Sequence, residues 1–398
     1  MTSLFDDRLK DEIISLQIGA PGPDLLESAR QVFKKSVSES TLNENVSEDL
    51  QLFQYGPAAG SASFVQSCAQ FLSHQYGDQV DPDRLLLTCG ATHGLHLLAT
   101  SLLDLKRGVV FVEDPTYFLA LDILQKDLSL KIVPVPGILG EGQALEKVIQ
   151  QEKFANTNEK FWGMVYAIPH FQNPTGRQMT SDQCKNLIEV TKRHNLLLVC
   201  DDVYNLLWYD GSKSTSRLLQ FGKNESHVVS NASFSKILSP GIRVGWIEAH
   251  LSTISRLSSG GVLTSGGAVN NVMSGIIAQA LSKGYLLNHL EKMRQTLGIR
   301  MKAACDILEA ELPPGFTFER PQGGYFVWIS GPSNFDSTKF CDQNLSSMKV
   351  AVLAGERASG DRQKPQRNSL RISIAYFQTD LITEGCKRIC TALLSFQM

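Results

Sequence analysis

The strongest constraint on this chain is a rhythm. Through its first two thirds, short continuous apolar runs alternate with stretches of helical periodicity. The runs are Leu85–Thr88, Val109–Val112, Lys131–Val135, Met164–Ile168, Leu196–Cys200, Val228–Asn231 and Val244–Glu248. Strands without polar alternation are buried on both faces, the condition of a parallel sheet covered by helices. Between them, His93–Leu103, Tyr117–Lys126, Gly142–Gln151 and Ser181–His194 read as helices. The last has a cap at Thr180 or Ser181 and an acid, Asp182, at the positive end of the helix dipole. The pattern predicts an α/β domain with a large, mainly parallel sheet.

Near Ser282 the texture changes. One long helix is predicted over Leu286–Leu312, stopped by Pro313-Pro314-Gly315. Strands follow at Thr317–Glu319, Tyr325–Ile329, Val350–Leu353 and Leu370–Ile374, then a last helix over Thr379–Leu394. This is a smaller α+β unit, and 398 residues suit two domains. The expected division is a large α/β domain over 51–285, a small domain over 286–398, and a segment 1–50 packing with the small domain. The Ser/Gly stretch Ser258–Gly267 reads as a flexible loop.

A formal net charge of −2 provides no global basic field for nucleic acid or anionic lipid. The eight cysteines are scattered without a Cys-x-x-Cys pair, and Cys386 and Cys390 have no His nearby in sequence. No zinc site or other metal site is expected; dispersed thiols fit a reducing compartment. The start, Met1 to Asp7, carries early acids and no apolar core of a leader, and no apolar run is long enough to span a bilayer. The expectation is a soluble, cytoplasmic protein.

Six short motifs carry possible chemistry. Ser233-Phe234-Ser235-Lys236 follows a strand, with Arg243 seven residues on; hydroxyls and a guanidinium suit a phosphate dianion, and a buried lysine becomes a nucleophile. Alone, a lysine or arginine is usually solvated. Asp201 closes the run Leu196–Cys200, at the sheet's carboxyl edge where α/β proteins place ligands, with Tyr204 three residues later. An isolated acid there is more often a helix cap. Asn173-Pro174-Thr175-Gly176 reads as a turn, although a turn does not require the Asn. Gly90-Ala91-Thr92-His93 opens a helix after a strand, and backbone N–H groups at such a point cradle phosphate; His93 by itself reads as structural. Tyr117, after Asp114-Pro115-Thr116, suits either a planar cofactor or the core. Arg371 interrupts the apolar run Leu370–Ile374, where it faces out of an edge strand or meets an anionic partner such as a carboxylate.

The order and spacing of these motifs resemble the fold-type-I pyridoxal-phosphate (PLP) enzymes, specifically the class I/II aminotransferases. The likeness is nearest to the branch acting on kynurenine, 2-aminoadipate and aromatic amino acids. It runs from Ile14-Ser15-Leu16-Gln17-Ile18-Gly19 to Leu370-Arg371-Ile372. The resemblance implies that Lys236 carries PLP as a Schiff base and acts as general acid/base. It implies that Asp201 pairs with the pyridine nitrogen, while Asn173 and Tyr204 bond the ring oxygen. Tyr117 stacks on the ring, and Ala91, Thr92, Ser233, Ser235 and Arg243 hold the phosphate. Arg371 grips the substrate α-carboxylate, with Gly19 and Asn173 beside it. Tyr55, in Gln54-Tyr55-Gly56-Pro57, matches a tyrosine lent to the neighbouring subunit's phosphate, so a homodimer is implied. The reaction implied is transfer of an amino group from an amino acid to a 2-oxo acid such as 2-oxoglutarate.

This chain departs from the family pattern in three places. Gly90-Ala91-Thr92 stands where a Ser-Gln type pair is frequent. Gly260–Asn271 is rich in Gly for an interface loop. Gly355–Asn368 is polar and placed to act as a lid. The same core residues also serve a C–S β-lyase, since a fold does not fix the reaction. A third reading is a non-catalytic, PLP-binding regulatory module of the kind fused to winged-helix segments. The chain starts almost directly at the aminotransferase-like region, which weighs against that reading.

Overall fold

The computed structural model describes residues 13–40, 52–106, 108–137, 139–152, 160–209, 217–267, 269–361, 363 and 365–396. The chain enters through a two-residue strand, β1 (Ile14–Ser15), and helix α1 (Pro23–Ser40). Helix α2 (Ala62–Tyr76) leads to the large sheet. Its strands are β2 (Leu85–Thr88), β3 (Val109–Asp114), β4 (Lys131–Pro136), β5 (Gly163–Ala167), β6 (Leu196–Asp201), β7 (Val228–Ser233) and β8 (Gly245–Ala249). They lie in the order β2-β8-β7-β6-β5-β3-β4. Strands β3 to β7 are parallel where they pair, and β8 alone runs against both its neighbours, β7 and β2. The sheet is therefore mainly parallel, as the unbroken apolar runs predict.

Alternation across the pleat assigns the two faces. Val110, Val112, Tyr166 and Val199 join one core with Leu97 and Leu98. Phe111, Val165 and Leu198 join the other with Leu187 and Ile188. Only β4, at the sheet's edge, exposes Lys131 and Pro136. Helix α3 (Ala91–Leu102) follows β2, and helix α4 (Ser181–Arg193) precedes β6. The cap of α4 is Thr180, not Ser181. Its Oγ1 accepts from Gln183 N–H and Gln183 Oε1 accepts from Thr180 N–H, a reciprocal box.

Helix α5 (Asn271–Ser282) and the long helix α6 (Tyr285–Glu311) lead to a second sheet. It contains β9 (Thr317–Phe318), β10 (Phe326–Ser330), β12 (Leu353–Ala354) and β13 (Ser369–Ser373), antiparallel in the order β12-β13-β10-β9. Strand β11 (Val350–Ala351) pairs instead with β1. The predicted strand Val350–Leu353 is thus two strands: the chain leaves one sheet at Ala351 and enters the other at Leu353. The last helix, α7 (Thr379–Ser395), packs along α6. Of the segment 1–50, residues 1–12 and 41–50 lie outside the described residues; the rest pairs with β11 and lays α1 on α5 and α6.

Ser258–Gly267 is not a loop throughout. Leu251–Ser258 and Gly261–Gly266 are helical, the second held by the fully buried Leu263. Gly267 (φ +68°) lies so close to the Gly56 carbonyl that a Cβ would stand 2.0 Å from its oxygen. Close backbone approach is one reason for the glycine content here. No helix among the described residues is long and apolar enough to cross a membrane.

Candidate functional site

Asp201 is the last residue of β6 and Ser233 the last of β7, so both stand at the carboxyl edge of the parallel strands. Helix α3 starts beside them. Its N-cap, Gly90, sits at φ +84° and provides no side-chain cap, leaving the N–H groups of the first turn for another partner. A Cβ at Gly90 would lie 2.9 Å from Arg243 Nη2, so glycine is what lets the guanidinium approach. Arg243 itself adopts a left-handed backbone (φ 50°), held by Asn270 Nδ2, which donates to its carbonyl at 2.6 Å. Arg243 Nη1 donates to Ser235 Oγ at 3.3 Å, and Ser233 Oγ donates to Ser235 Oγ at 2.9 Å.

These groups line one cavity of about 150 Å³, together with Ala91, Thr92, Tyr117, Asn173, Asp201, Tyr204 and Lys236. Every residue predicted to hold a cofactor faces it except Tyr55. That side chain is 79% exposed. Its segment is fixed all the same: Asn271 Nδ2 donates to the carbonyls of Leu52 (3.1 Å) and Gln54 (3.2 Å). His93 Nδ1 accepts from Cys89 N–H at 3.1 Å.

Asp201 is buried, and burial raises its carboxyl to about 6. The Tyr166 hydroxyl donates to Oδ2 and is the largest influence pulling that value back; Asp202 pushes it up, and Lys236 and the Val203 N–H lower it. Oδ1 has no hydrogen-bond partner of good geometry among the described residues. Sequence reasoning passed over Tyr166. Its only signal is a tyrosine amid the apolar run Met164–Ile168, whose hydroxyl must find a partner when buried. Register supplies it: Tyr166 pairs with Val199, two residues before Asp201 on the next strand.

Lys236 is half-buried. Its Nζ donates to the Gly19 carbonyl at 2.7 Å and stands about 6 Å from the rings of Tyr204 and Tyr325. Burial, then the charge of Arg371, lowers its amine to about 8; Asp201 opposes this and Arg243 adds to it. A neutral amine is therefore accessible near neutral pH.

A second cavity, about 190 Å³, adjoins the first through Tyr117, Asn173, Tyr204 and Lys236, which line both. Its other walls are Gln17, Ile18, Gly19, Phe118, Leu119, Phe326 and Arg371. Gly19 packs so tightly that a Cβ would lie 2.8 Å from Phe326 Cζ. Arg371 is on β13, between β12 and β10, so it is an inward residue of a central strand rather than an outward one of an edge. Its Nη1 donates to Asn173 Oδ1 and Nη2 to the Gln17 carbonyl, both at 2.8 Å. Nε is buried with no hydrogen-bond partner among the described residues. Burial, opposed by Tyr204 and Tyr117, brings it down to about 10. A buried cation whose partners are all neutral is a receptor for an anion.

The expected lid, Gly355–Asn368, is anchored. Residues 362 and 364 lie outside the described residues. Of the rest, Gly360 N–H and the Ser359 hydroxyl donate to Asp114 Oδ1 (2.8 and 3.0 Å), Thr116 N–H donates to the Ala358 carbonyl (2.8 Å), and Gln366 Nε2 donates to the Asp114 carbonyl (3.0 Å). Its polar residues are there in part to bond the turn that carries Tyr117.

Comparison with known proteins agrees with this geometry. The family model described as "Aminotransferase class I and II" matches residues 11–389. Aromatic-amino-acid aminotransferase 1 of Thermococcus litoralis is 28% identical over 389 residues, covering 96% of this chain and 88% of that protein. The HTH-type transcriptional regulator NorG of Staphylococcus aureus is 27% identical, over 96% of this chain and 80% of that protein. A crystal structure of Pyrococcus horikoshii kynurenine aminotransferase in complex with PMP superposes with a TM-score of 0.83. It is 26% identical and covers 97% of this chain and 91% of that one. The chain belongs to the class I and II aminotransferases and is a PLP-dependent aminotransferase of fold type I.

Proposed function

We propose that this aminotransferase takes its amino group from an aromatic amino acid, kynurenine or 2-aminoadipate and delivers it to a 2-oxo acid such as 2-oxoglutarate, with Lys236 as the pivot. The observation that carries the reading is the meeting of two cavities at one lysine. One is furnished for a phosphate and a ring nitrogen, the other for a carboxylate. The residues fit PLP: an uncapped helix N-terminus with Ser233, Ser235 and Arg243 suits its phosphate, and the unsatisfied Asp201 oxygen suits a protonated ring nitrogen.

When bound, PLP supplies an electron-withdrawing ring that accepts the electron pair left when the substrate Cα–H bond breaks. The chain's own groups do the rest. Arg371 binds the substrate carboxylate and so turns Cα–H toward Lys236. The Lys236 amine, lowered to about 8, takes the proton from Cα and returns it to the neighbouring carbon as general acid/base. Asp201, as a carboxylate, holds a proton on the ring nitrogen. Asn173 has its Oδ1 occupied by Arg371, which leaves its Nδ2 to donate to the ring oxygen beside Tyr204. Tyr117 lies along the ring face, while Ala91 and Thr92 offer N–H groups to the phosphate. Gly19 holds the lysine amine through its carbonyl and leaves room for the substrate.

In this reading the 51–285 unit holds the cofactor, and 286–398 with the segment 1–50 provides the substrate side. The exposed Tyr55 reaches the phosphate of a second subunit, making a homodimer. Eight free cysteines suit work in the cytoplasm. The test is the visible absorption of PLP-loaded protein before and after a panel of amino donors. Loss of the band with one donor class and its return with 2-oxoglutarate is expected, with no such band in Lys236→Ala. A band indifferent to every donor overturns the reading.

A further inference from the structure

Tyr325 stands just ahead of β10 and is fully buried. Its hydroxyl reaches across to the turn after β7 and donates to the main-chain carbonyl of Lys236 at 2.7 Å. No other hydrogen bond reaches that carbonyl among the described residues. The Tyr325 ring centre is 5.8 Å from Lys236 Nζ, and the ring meets that of Tyr204 edge-on, with centroids 5.4 Å apart. One side chain thus contacts the backbone of the lysine, the surroundings of its amine and the ring of Tyr204.

The backbone that carries this hydroxyl is fixed on both sides. Ahead of it, Tyr209 N–H donates to the Gln322 carbonyl and Gly324 N–H to the Leu207 carbonyl, both at 2.9 Å, and the Tyr209 hydroxyl donates to the Gly324 carbonyl. The Tyr325 carbonyl accepts from Ile374 N–H at 2.9 Å, three residues beyond Arg371. A strut therefore runs from the strand of Arg371 through Tyr325 to Lys236. A buried carbonyl that loses its donor is costly, so the turn stays where the hydroxyl holds it. The lysine's other anchor, Gly19, bonds the amine, the atom on which the chemistry acts. Tyr325 holds the main chain, whatever the amine carries.

We propose that Tyr325 is a positioning residue whose hydroxyl fixes the root of the Lys236 side chain and so sets where the amine stands between the two cavities. The inference rests on the reading of Lys236 as the group that moves the Cα proton. The amine hangs on a flexible four-carbon stem, so its reach depends on where that stem is rooted. Moving a proton between two neighbouring carbons requires the amine to reach each in turn, and a misplacement of about 1 Å costs about a hundredfold in rate. The hydroxyl touches neither cavity's anion-binding groups, so its loss acts on rate and not on substrate binding. Tyr209 is the matched comparison. It is also buried and its hydroxyl also bonds a main-chain carbonyl of this connection, but that carbonyl belongs to Gly324 and not to the lysine.

The experiment compares PLP-loaded wild type, Tyr325→Phe and Tyr209→Phe, each variant keeping its ring and losing one hydroxyl. Four quantities are measured: circular dichroism of the visible band, the single-turnover rate with a saturating amino donor, KM for that donor, and the urea midpoint. Tyr325→Phe should slow the turnover at least about tenfold with KM within about threefold. It should also alter the visible circular dichroism, which reports how Lys236 holds the chromophore. Tyr209→Phe should lower the urea midpoint comparably, yet keep the wild-type visible signal and a rate within about twofold. A Tyr325→Phe protein with wild-type rate and visible signal overturns the assignment. So does a Tyr209→Phe protein that loses as much of both, a result that is readable even where Tyr325→Phe does not fold. In a Lys236→Ala background supplied with methylamine, adding Tyr325→Phe should change the rate by less than about twofold, because a free amine has no root to fix; a tenfold loss there also overturns the proposal. A wild type that turns over no donor sinks the aminotransferase reading instead, and the visible circular dichroism then still decides whether Tyr325 sets the geometry of Lys236.

Discussion

Tyr166→Phe removes one hydroxyl from beneath Asp201 and nothing else, because the ring that fills the core remains. The hydroxyl donates to Asp201 Oδ2 and is the largest single influence opposing the effect of burial on that carboxyl, which stands at about 6. A hydrogen bond to a charged, buried acceptor contributes about 1.5–3 kcal/mol. One pH unit corresponds to about 1.4 kcal/mol, so the loss moves the Asp201 carboxyl up by roughly one to two units. The sign follows from which form acts. The carboxylate, not the acid, pairs with a protonated ring nitrogen, so the useful form is lost as pH falls through the raised value. At pH 7 the wild-type group is mostly ionised, whereas the variant's is roughly half to nine-tenths protonated. PLP affinity should therefore fall by about two- to tenfold at pH 7 and approach the wild-type value above about pH 9. The assay is titration of cofactor-stripped protein with PLP from pH 6 to 9, following the visible band, with circular dichroism to confirm folding. Asp201→Asn, which cannot ionise, should bind weakly at every pH. If the acid limbs of wild type and Tyr166→Phe coincide, the hydroxyl does not govern Asp201.

Arg371→Gln should raise KM for every amino and oxo acid by at least about tenfold, by loss of a charge-assisted carboxylate contact. Arg371 is also the charge that most lowers the Lys236 amine, so its removal moves that amine above about 8. Only the neutral amine attacks PLP, so the rise in the rate of cofactor uptake with pH must shift to higher pH; an unmoved midpoint in a stopped-flow series would refute the coupling. A third prediction concerns stability. Arg217 is 5% exposed, pairs through both terminal nitrogens with the buried Glu248 and stacks 4.3 Å above the Tyr76 ring. Arg217→Met leaves Glu248 buried and without this partner, and should cost about 3–5 kcal/mol in urea unfolding, much of it recovered by adding Glu248→Leu. A single-variant cost under about 1 kcal/mol would show the pair to be solvated.

The large sheet was legible because its strands are buried on both faces and show it as unbroken apolar runs. Leu196–Cys200 and Leu85–Thr88 lie in the sheet as the sequence predicts, and Lys131–Val135, which opens on a lysine, is one of its two edge strands. Boundaries moved where backbone geometry intervened: β8 starts at Gly245 rather than Val244, just after Arg243 adopts its left-handed turn. Val350–Leu353 was read as one strand because four apolar residues carry no sign of a change of partner. Asp201 and Ser233 stood out because each is a polar residue closing an apolar strand. Tyr166 was invisible for the opposite reason, being a strand residue whose meaning comes from the register of its neighbour.

The N-terminal segment shows most directly why sequence order hides a site. Gln17, Ile18 and Gly19 are far in sequence from the groups they touch, yet they form one wall of the second cavity. What fixes them is β13: Ser373 N–H donates to the Leu16 carbonyl at 2.6 Å, Ser373 Oγ to the Ile18 carbonyl at 2.7 Å, and Arg371 Nη2 to the Gln17 carbonyl. The alternate residues Arg371 and Ser373 point to the same face of their strand, so one strand both stitches the segment and presents Arg371 to the second cavity. The segment in turn holds Lys236 through the Gly19 carbonyl, and Arg371 holds Asn173 by its Oδ1. If Arg371 takes a substrate carboxylate, as proposed, that binding acts on the groups that hold Lys236 and Asn173, because all of them hang on the same few hydrogen bonds. On that proposal, substrate binding and the state of Lys236 are linked through these hydrogen bonds.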